Sequence, residues 1–239
     1  PEPRPRSSVQ VQSMIRYLKA DAGFVFNSDM SRMAVVTDSA ETLSEEYTFP
    51  LVADHVLRKN PPPCTVVTNW CTTRTLDEVV RRHGGTVVKT KVGQAFTLDR
   101  MISLDAKLGG DGSGSVVMAG AVPGYDSYLA MIMILESMAA RKAGSAALAS
   151  ALPRYHIIKQ KVQCPSSHAY TLLRSLKGHY AGAAINEDDG LRFDWPDGWI
   201  HLRAALTEPI IRMIVEWRTK EEAEEKAGEV RVLIERIVS

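Results

Sequence analysis

The sequence has few of the residues that build disulfide scaffolds or cysteine-based metal sites. Its 239 residues include three cysteines, Cys64, Cys71 and Cys164, and no two of them form a CxxC pair. This usage predicts reduced thiols and a cytoplasmic setting. No apolar run is long enough to cross a bilayer, so we expect no membrane partner.

The sequence also has almost no excess of positive over negative charge. The chain has 29 Lys and Arg residues against 28 Asp and Glu residues, a formal net charge of +1. This balance gives no reason to expect a nucleic-acid partner. Signatures of a Ser/His/Asp or Cys/His nucleophile are missing as well. What remains is the composition of a globular protein, 45% hydrophobic and 24% charged, long enough for one large domain or two small ones.

Strand and helix patterns alternate through the middle of the chain. Strand-like residues 64–69 and 86–89 are each followed by a helical pattern, the second over residues 94–107. A longer helical pattern covers residues 126–142, and residues 144–153 have the pattern of the tail of this domain and a connector. Such alternation predicts βαβ units in an α/β domain with a mixed, largely parallel sheet. Ligands of such sheets bind beyond the carboxyl ends of the strands.

Antiparallel patterns lie on either side of this domain. Residues 22–26 and 33–37 are apolar runs around a polar turn, which predicts a hairpin whose strands have exposed edges. After residue 155, strand patterns joined by short turns predict a smaller α+β domain with an antiparallel sheet. The expected division is residues 1–44, 45–150 and 151–239.

A glycine-dense stretch, residues 108–115, is the first candidate site. Four glycines give the backbone unusual freedom, which predicts a loop. Asp111 and Ser113 would offer hydrogen bonds to a polar small molecule such as a sugar. The alternative is an ordinary tight loop.

Two further stretches are candidates. In the hairpin tip, Asp29 with the neutral oxygens of Asn27 and Ser31 could face a cation such as Mg²⁺, or the tip could simply be solvated. Near the end of a later strand, Arg203 and Thr207 provide a planar fork and a hydroxyl suited to phosphate. The alternative for Arg203 is a surface position at a strand end.

Some nearby basic side chains allow two interpretations. Lys89 and Lys91 close to a strand end could serve an anionic substrate or be solvated. His83 is interpreted as structural or solvent-facing, and His201 has no partner pattern.

Together these stretches resemble the α-D-phosphohexomutase superfamily of phosphomannomutases, phosphoglucomutases and phosphoglucosamine mutases. Residues 27–32 resemble the family's metal loop DGDADR, residues 110–115 its sugar loop GExSG, and residues 203–209 its phosphate loop RxSxTEP. Residues 90–93 resemble its TxVG turn. The resemblance implies a remnant of the second domain (1–44), a third, sugar-loop domain (45–150) and a C-terminal phosphate-loop domain (151–239).

The resemblance also implies a chemistry and shows where this sequence departs from it. Family members move a phosphoryl group between the 1- and 6-positions of a hexose phosphate, using Mg²⁺ and a phosphoserine on a domain that this sequence lacks. Two of the three metal carboxylates are replaced by Asn27 and Ser31, the sugar-loop Glu by Asp111, and the phosphate-loop Ser by Ala205.

Three functional hypotheses follow. In the first, the chain is a relative of the phosphohexomutases that has no catalytic activity by itself. It binds a hexose phosphate through Asp111, Ser113, Arg203 and Thr207. Alternatively, it is the C-terminal part of an active mutase whose remaining domains are supplied elsewhere. The third hypothesis is a structural subunit that self-associates or docks on a partner that supplies the missing N-terminal domains.

Overall fold

The computed structural model describes residues 8–180, 182–205 and 207–238. The chain divides into two compact units, the first ending at Pro153 and the second beginning at Arg154. The expected boundary after residue 150 falls close to this division. That residues 1–44 are the remnant of a separate domain stays a prediction. Within the described residues, every helix is too short or too polar to cross a bilayer.

The first unit is an α/β fold preceded by a helix and a hairpin. Its elements follow in this order: α1 (Val9–Leu18), β1 (Ala22–Phe26), β2 (Met33–Thr37), a 3₁₀ turn (Glu45–Tyr47), α2 (Thr48–Lys59), β3 (Thr65–Asn69), α3 (Arg74–Arg82), β4 (Thr86–Thr90), α4 (Gln94–Ser103), β5 (Leu108–Asp111), β6 (Ser115–Met118), α5 (Ser127–Arg141) and α6 (Ser145–Ser150).

The sheet of this unit confirms the predicted mixed, largely parallel arrangement. Its strand order is β4-β3-β5-β6, with β3 parallel to both β4 and β5, and β6 antiparallel to β5. Successive side chains of a strand point to opposite faces of the sheet, and in this sheet both faces are covered. Val66 joins the large core with Phe49 and Ile134, whereas Val67 joins a smaller core with Met101.

The glycine-dense stretch is not the loop that we expected. Residues 108–111 form β5, which pairs on both sides, and only residues 112–114 form the turn. The glycines are needed for close packing. A Cβ at Gly109 would lie 2.4 Å from the Sδ of Met101, and one at Gly110 would lie 2.3 Å from the carbonyl oxygen of Ser115.

One other expectation about this unit was wrong. The helix expected over 94–107 ends at Ser103, and Asp105 takes the left-handed conformation with φ of 48°.

Residues 144–153 end the first unit, as expected of its tail, and they contain α6. The first turn of α6 is fixed because Ala146 N donates to Asp38 Oδ1 (2.8 Å) and Ser145 Oγ donates to Asp21 O (2.7 Å).

The hairpin is confirmed, with Phe26 opposite Met33, but β2 does not have the exposed edge that we expected. Every residue of β2 is buried. Its outer edge is covered by the following chain, because Leu43 N donates to Val35 O (2.9 Å) and Thr37 N donates to Glu41 O (2.8 Å).

The second unit is an antiparallel sheet with two helices, as predicted. Its elements are β7 (His156–Gln163), α7 (Ser166–Lys177), β8 (Ala184–Asn186), β9 (Leu191–Asp194), β10 (Gly198–Ala204), β11 (Ile210–Trp217) and α8 (Lys220–Val238). The strand order is β7-β11-β10-β9-β8. Alternate residues such as Phe193 and Leu202 form one core with Leu176 and Ile234.

Candidate functional site

The hairpin tip between β1 and β2 is closed by its own side chains. Asp29 Oδ1 accepts hydrogen bonds from Ser31 N (3.0 Å) and Ser31 Oγ (2.6 Å). Asn27 Nδ2 donates to Ser31 Oγ (3.1 Å), while Asn27 Oδ1 accepts from Arg32 N (2.9 Å). The bonds from Ser31 lower the pKa of Asp29 below its usual value. One oxygen of Asp29, the amide oxygen of Asn27 and the hydroxyl of Ser31 are therefore engaged within the turn.

The turn after β5 repeats this arrangement. Asp111 Oδ1 accepts from Ser113 N (2.9 Å) and Ser113 Oγ (2.5 Å), and Ser113 Oγ lies 3.0 Å from Ser115 Oγ. Asp111 and Ser113 are thus brought together as predicted from the sequence. The carboxylate keeps its second oxygen and further lone pairs for a ligand.

Two glycines allow this turn to lie against its neighbours. A Cβ at Gly112 would lie 2.2 Å from the Oε2 of buried Glu46, an oxygen that already accepts from Thr73 N (3.0 Å). Gly114 has φ of +85° and its carbonyl accepts from Met33 N (3.0 Å). The last contact ties the turn to the first residue of β2, so the two candidate loops of this unit are neighbours.

Tyr125, which lies just before α5, was not predicted from the sequence as a site residue. Its hydroxyl donates to Thr97 Oγ1 in the first turns of α4 (3.3 Å). Burial, followed by the charge of Asp111, raises the pKa of Tyr125. The only signal in the sequence was an aromatic residue directly before the helix cap Asp126, which accepts from Leu129 N (3.1 Å). That pattern alone does not distinguish a site residue from a core residue.

The same segment contacts the hairpin tip. Ser127 N donates to Met30 O (3.0 Å), and Asp126 N donates to Val116 O of β6 (2.8 Å). Residues 125–127 therefore connect the tip, the sheet and α4.

The two lysines near the carboxyl end of β4 differ. Lys89 Nζ lies 3.0 Å from Asp77 Oδ2 and 5.8 Å from the ring centre of Trp70, and its side chain is 13% exposed. It is therefore neither solvated nor placed for an anionic substrate. Lys91, in the TxVG-like turn, is exposed.

Arg203 and Thr207 belong to the second unit. Arg203 lies on β10 opposite Arg212 of β11, and its Nη1 is 3.7 Å from Asp189 Oδ1. Thr207 is exposed, whereas Leu206 lies outside the described residues. Glu208 in the same loop pairs with Lys161 (2.8 Å) and Arg212 (3.5 Å), which lowers the pKa of Glu208.

His201 lies two residues before Arg203 and has a partner that the sequence did not indicate. Its Nε2 is 2.5 Å from Asp189 O, and the side chain is fully buried. Burial lowers the pKa of His201 to about 4, and the nearby charges of Arg192 and Arg203 act in the same direction. His201 is therefore a neutral, buried residue of β10, the strand that also carries Arg203.

Several known phosphoglucomutases, phosphomannomutases and phosphoglucosamine mutases are similar to this chain. Residues 44–155 match the model of phosphoglucomutase/phosphomannomutase, alpha/beta/alpha domain III. A phosphoglucomutase/phosphomannomutase of Thermococcus kodakarensis is 29% identical over 94% of this chain, and a probable phosphoglucosamine mutase of Pyrococcus abyssi is 31% identical over 93%. A solved phosphoglucomutase/phosphomannomutase family protein from Burkholderia thailandensis superposes with a TM-score of 0.83, at 25% identity over 98% of this chain and 50% of its own.

Over nearly its whole length, the chain is similar to proteins of the α-D-phosphohexomutase superfamily. It spans about half the length of the curated relatives that it matches, 49% of the Thermococcus protein and 50% of the Pyrococcus protein. The fold extends to the N-acetylphosphoglucosamine mutase of Aspergillus fumigatus, solved with GlcNAc-6P and magnesium, at a TM-score of 0.64 and 12% identity.

The superfamily resemblance implies Mg²⁺, but the tip of this phosphohexomutase relative does not fit that ion. Mg²⁺ requires near-octahedral oxygen ligands and is usually held by carboxylates. The tip provides one carboxylate, Asp29, whose Oδ1 accepts two bonds from Ser31, and Asn27 Oδ1 accepts from the backbone. Within residues 8–180, 182–205 and 207–238, no three His, Cys, Asp or Glu side chains form a group suited to a metal. We therefore assign no resident metal to the tip.

Proposed function

We propose that this phosphohexomutase relative binds a hexose phosphate without Mg²⁺ and does not catalyse phosphoryl transfer by itself. The hairpin tip carries this proposal, because Asp29 is its one carboxylate and one oxygen of that carboxylate, with the amide oxygen of Asn27, is held in hydrogen bonds within the turn. Phosphoryl transfer depends mainly on positioning and on stabilisation of charge, for which a metal ion is the usual source.

Retained polar groups support the binding half of the proposal. Asp111 and Ser113 form an ordered turn that suits sugar hydroxyls. Arg203 suits the phosphate group, because a guanidinium has five donors and a single ion pair with Asp189 uses few of them. Thr207 is exposed and adds a hydroxyl.

The test is a thermal-shift titration with glucosamine 6-phosphate, mannose 1-phosphate and glucose 1-phosphate, each with and without Mg²⁺. A ligand at a hundredfold excess over its Kd stabilises a protein by about 2.7 kcal/mol. We expect a shift that is independent of Mg²⁺ and is lost in Arg203→Ala. Arg231→Ala, which removes a half-exposed arginine from α8, is the matched control and should keep the shift.

Each other outcome contradicts part of the proposal. A shift that requires Mg²⁺ would show that the tip still binds metal. A shift that survives in Arg203→Ala would place the phosphate elsewhere. No shift with any of the three sugars would favour the structural hypothesis.

The length of this chain compared with its curated relatives favours a second candidate function, in which the chain is a subunit or a part of an active mutase. The chain covers only about half of each curated relative, so the remaining domains would have to come from further polypeptide. The test is a coupled mutase assay of this chain alone and mixed with the unmatched half of the Thermococcus relative. Turnover that appears only in the mixture would support this candidate.

A cytoplasmic location is part of the proposal. It is supported by the unbridged state of Cys64, Cys71 and Cys164. Fractionation of cells that express the full gene would test it.

A further inference from the structure

The turn after β5 (residues 112–114) is anchored from outside by the connection between β3 and α3. Gly112 N donates a hydrogen bond to Thr72 Oγ1 (3.2 Å), which belongs to that connection. Both residues are buried, so the bond is shielded from water. A buried N–H without a partner is costly, and here the threonine hydroxyl supplies the partner.

Thr68, near the end of β3, makes a second contact on the same side. Its Oγ1 donates to Gly110 O (3.0 Å), and the hydroxyl oxygens of Thr68 and Thr72 are 2.7 Å apart. The backbone pairing of β3 with β5 ends at the pair Val67 and Gly109. Beyond that pair, two threonine hydroxyls in contact with each other bind the chain that continues from β5 into the turn.

These contacts fix the backbone on both sides of Asp111. Gly110 O belongs to the peptide group before Asp111, and Gly112 N belongs to the peptide group after it. Peptide groups are planar, so the orientation of these two sets the direction in which the Asp111 side chain leaves the backbone. Ser113 N and Ser113 Oγ then hold one oxygen of the carboxylate (2.9 and 2.5 Å), which leaves the other side of the carboxylate for a ligand.

We propose that Thr72 is a positioning residue whose hydroxyl, through Gly112 N, directs the Asp111 carboxylate toward a hydroxyl of the bound hexose. This inference rests on the proposed function and deepens it, because it assigns recognition of the sugar ring, as distinct from the phosphate group, to the turn and its anchor. Thr72 is fully buried and acts on the ligand only through the turn. Loss of the anchor misdirects the carboxylate, and hydrogen bonds weaken as they bend.

The experiment compares Thr72→Val with the unchanged chain by isothermal titration. Valine has nearly the shape of threonine but no hydroxyl, so Gly112 N loses its acceptor. The probes are glucosamine 6-phosphate, mannose 1-phosphate and glucose 1-phosphate, with inorganic phosphate as the reference that lacks sugar hydroxyls. We expect Thr72→Val to bind the preferred sugar phosphate about 3- to 10-fold more weakly, the range for one neutral hydrogen bond. Binding of inorganic phosphate should not change.

Two further variants separate positioning from a general loss of stability. Thr72→Ser keeps the hydroxyl and should restore the affinity. Thr75→Val is the matched control, because it removes an equally buried hydroxyl from the first turn of α3 that bonds Pro153 O (3.1 Å) and not the turn after β5. Thr75→Val should bind every probe as the unchanged chain does, even where its melting temperature falls.

Amide exchange followed by NMR tests the anchor without a ligand. The Gly112 amide should exchange slowly in the unchanged chain and in Thr72→Ser, and faster in Thr72→Val. A second measurement uses the unchanged chain alone and does not depend on how the variants fold. The amide resonances of Gly112 and Ser113 should shift on addition of the preferred sugar phosphate and stay in place with inorganic phosphate.

The outcomes separate this inference from the proposed function. If the unchanged chain binds no sugar phosphate, the proposed function fails and this inference fails with it. If the unchanged chain binds and Thr72→Val binds equally well, only this inference is overturned. An equal loss for inorganic phosphate, an equal loss in Thr75→Val, or a Thr72→Ser variant that stays weak would also overturn it. So would a Gly112 amide that exchanges rapidly in the unchanged chain, or turn resonances that do not respond to the sugar phosphate.

Discussion

Two Asp-X-Ser turns show how single residues change what a loop can bind. In both, the serine two positions after the aspartate donates its backbone N–H and its hydroxyl to one carboxylate oxygen. A second carboxylate in place of Ser31 would repel Asp29 and would need a cation between them. Serine supplies donors instead, so the turn holds its shape by hydrogen bonds alone. Both turns thus hold one ordered carboxylate, and a single carboxylate at Asp29 is fewer than a Mg²⁺ site usually has.

The buried side chain of His201 predicts how the stability of the fold depends on pH. Burial lowers its pKa from 6.5 to about 4, so between these values the unfolded chain binds a proton that the folded chain does not. Stability is therefore complete above about pH 7 and falls as the pH drops toward 4, by roughly 3 kcal/mol in total. Urea unfolding at a series of pH values should show this slope.

Removing the titrating group should remove the slope. His201→Gln keeps a polar side chain beside Asp189 O and should make stability nearly constant between pH 6.5 and 4.5. His156→Gln, at an exposed position on β7, is the control and should keep the slope of the unchanged chain. An unaltered slope in His201→Gln would show that other groups cause the acid sensitivity.

Among the elements, periodicity predicted most of what the structure contains. The hairpin, the alternating α/β region and the antiparallel sheet follow from apolar patterns and turn residues, which act locally. The glycine stretch was misassigned because tertiary packing decided it. Gly109 and Gly110 leave room for Met101 and for the neighbouring strand, which a local pattern does not reveal.

The residues of the candidate site also divide into those that the sequence predicts and those that only the fold reveals. Asp111 and Ser113 could be predicted because their contact lies within one turn. Tyr125 could not, since its neighbours Thr97 and Asp111 come from elements that only the fold brings together.

A glycine inside helix α8 allows a prediction about how that helix contributes to stability. Gly228 lies inside the helix, and a Cβ there would have no atom within 4 Å. Gly228→Ala should therefore stabilise the protein by about 0.5 to 1 kcal/mol, because alanine loses less backbone freedom on folding. Chemical denaturation measures the change. Gly198→Ala in the same unit should act in the opposite direction, because its Cβ would lie 2.4 Å from the carbonyl oxygen of Glu216. Destabilisation by Gly228→Ala would contradict the open space found there.

For the whole molecule, helix α1 is an element with apolar side chains exposed on one side. Its inner side packs Ile15 and Val11 against β1 and β2. Its outer side exposes three apolar side chains at helical spacing, Met14 (57%), Tyr17 (86%) and Leu18 (60%). A helix with apolar residues on both sides is usually covered on both. With the outer edge of β2 paired, this face replaces the hairpin as the surface on which we expect association.

We predict that the chain self-associates through this face of α1. The unchanged chain should show a concentration-dependent rise in mass by size-exclusion chromatography with light scattering at about 10 to 100 μM, a range suited to an interface of modest area. Tyr17→Glu combined with Leu18→Glu should give a monomer with an unchanged melting temperature, because neither side chain reaches the core. Ile102→Glu, which alters an apolar side chain on α4 that is 80% exposed, is the control and should not change the mass. A monomer at every concentration would contradict self-association and would favour a different polypeptide as the cover of α1, which the mixing experiment with the unmatched half of the Thermococcus relative would then detect as a complex.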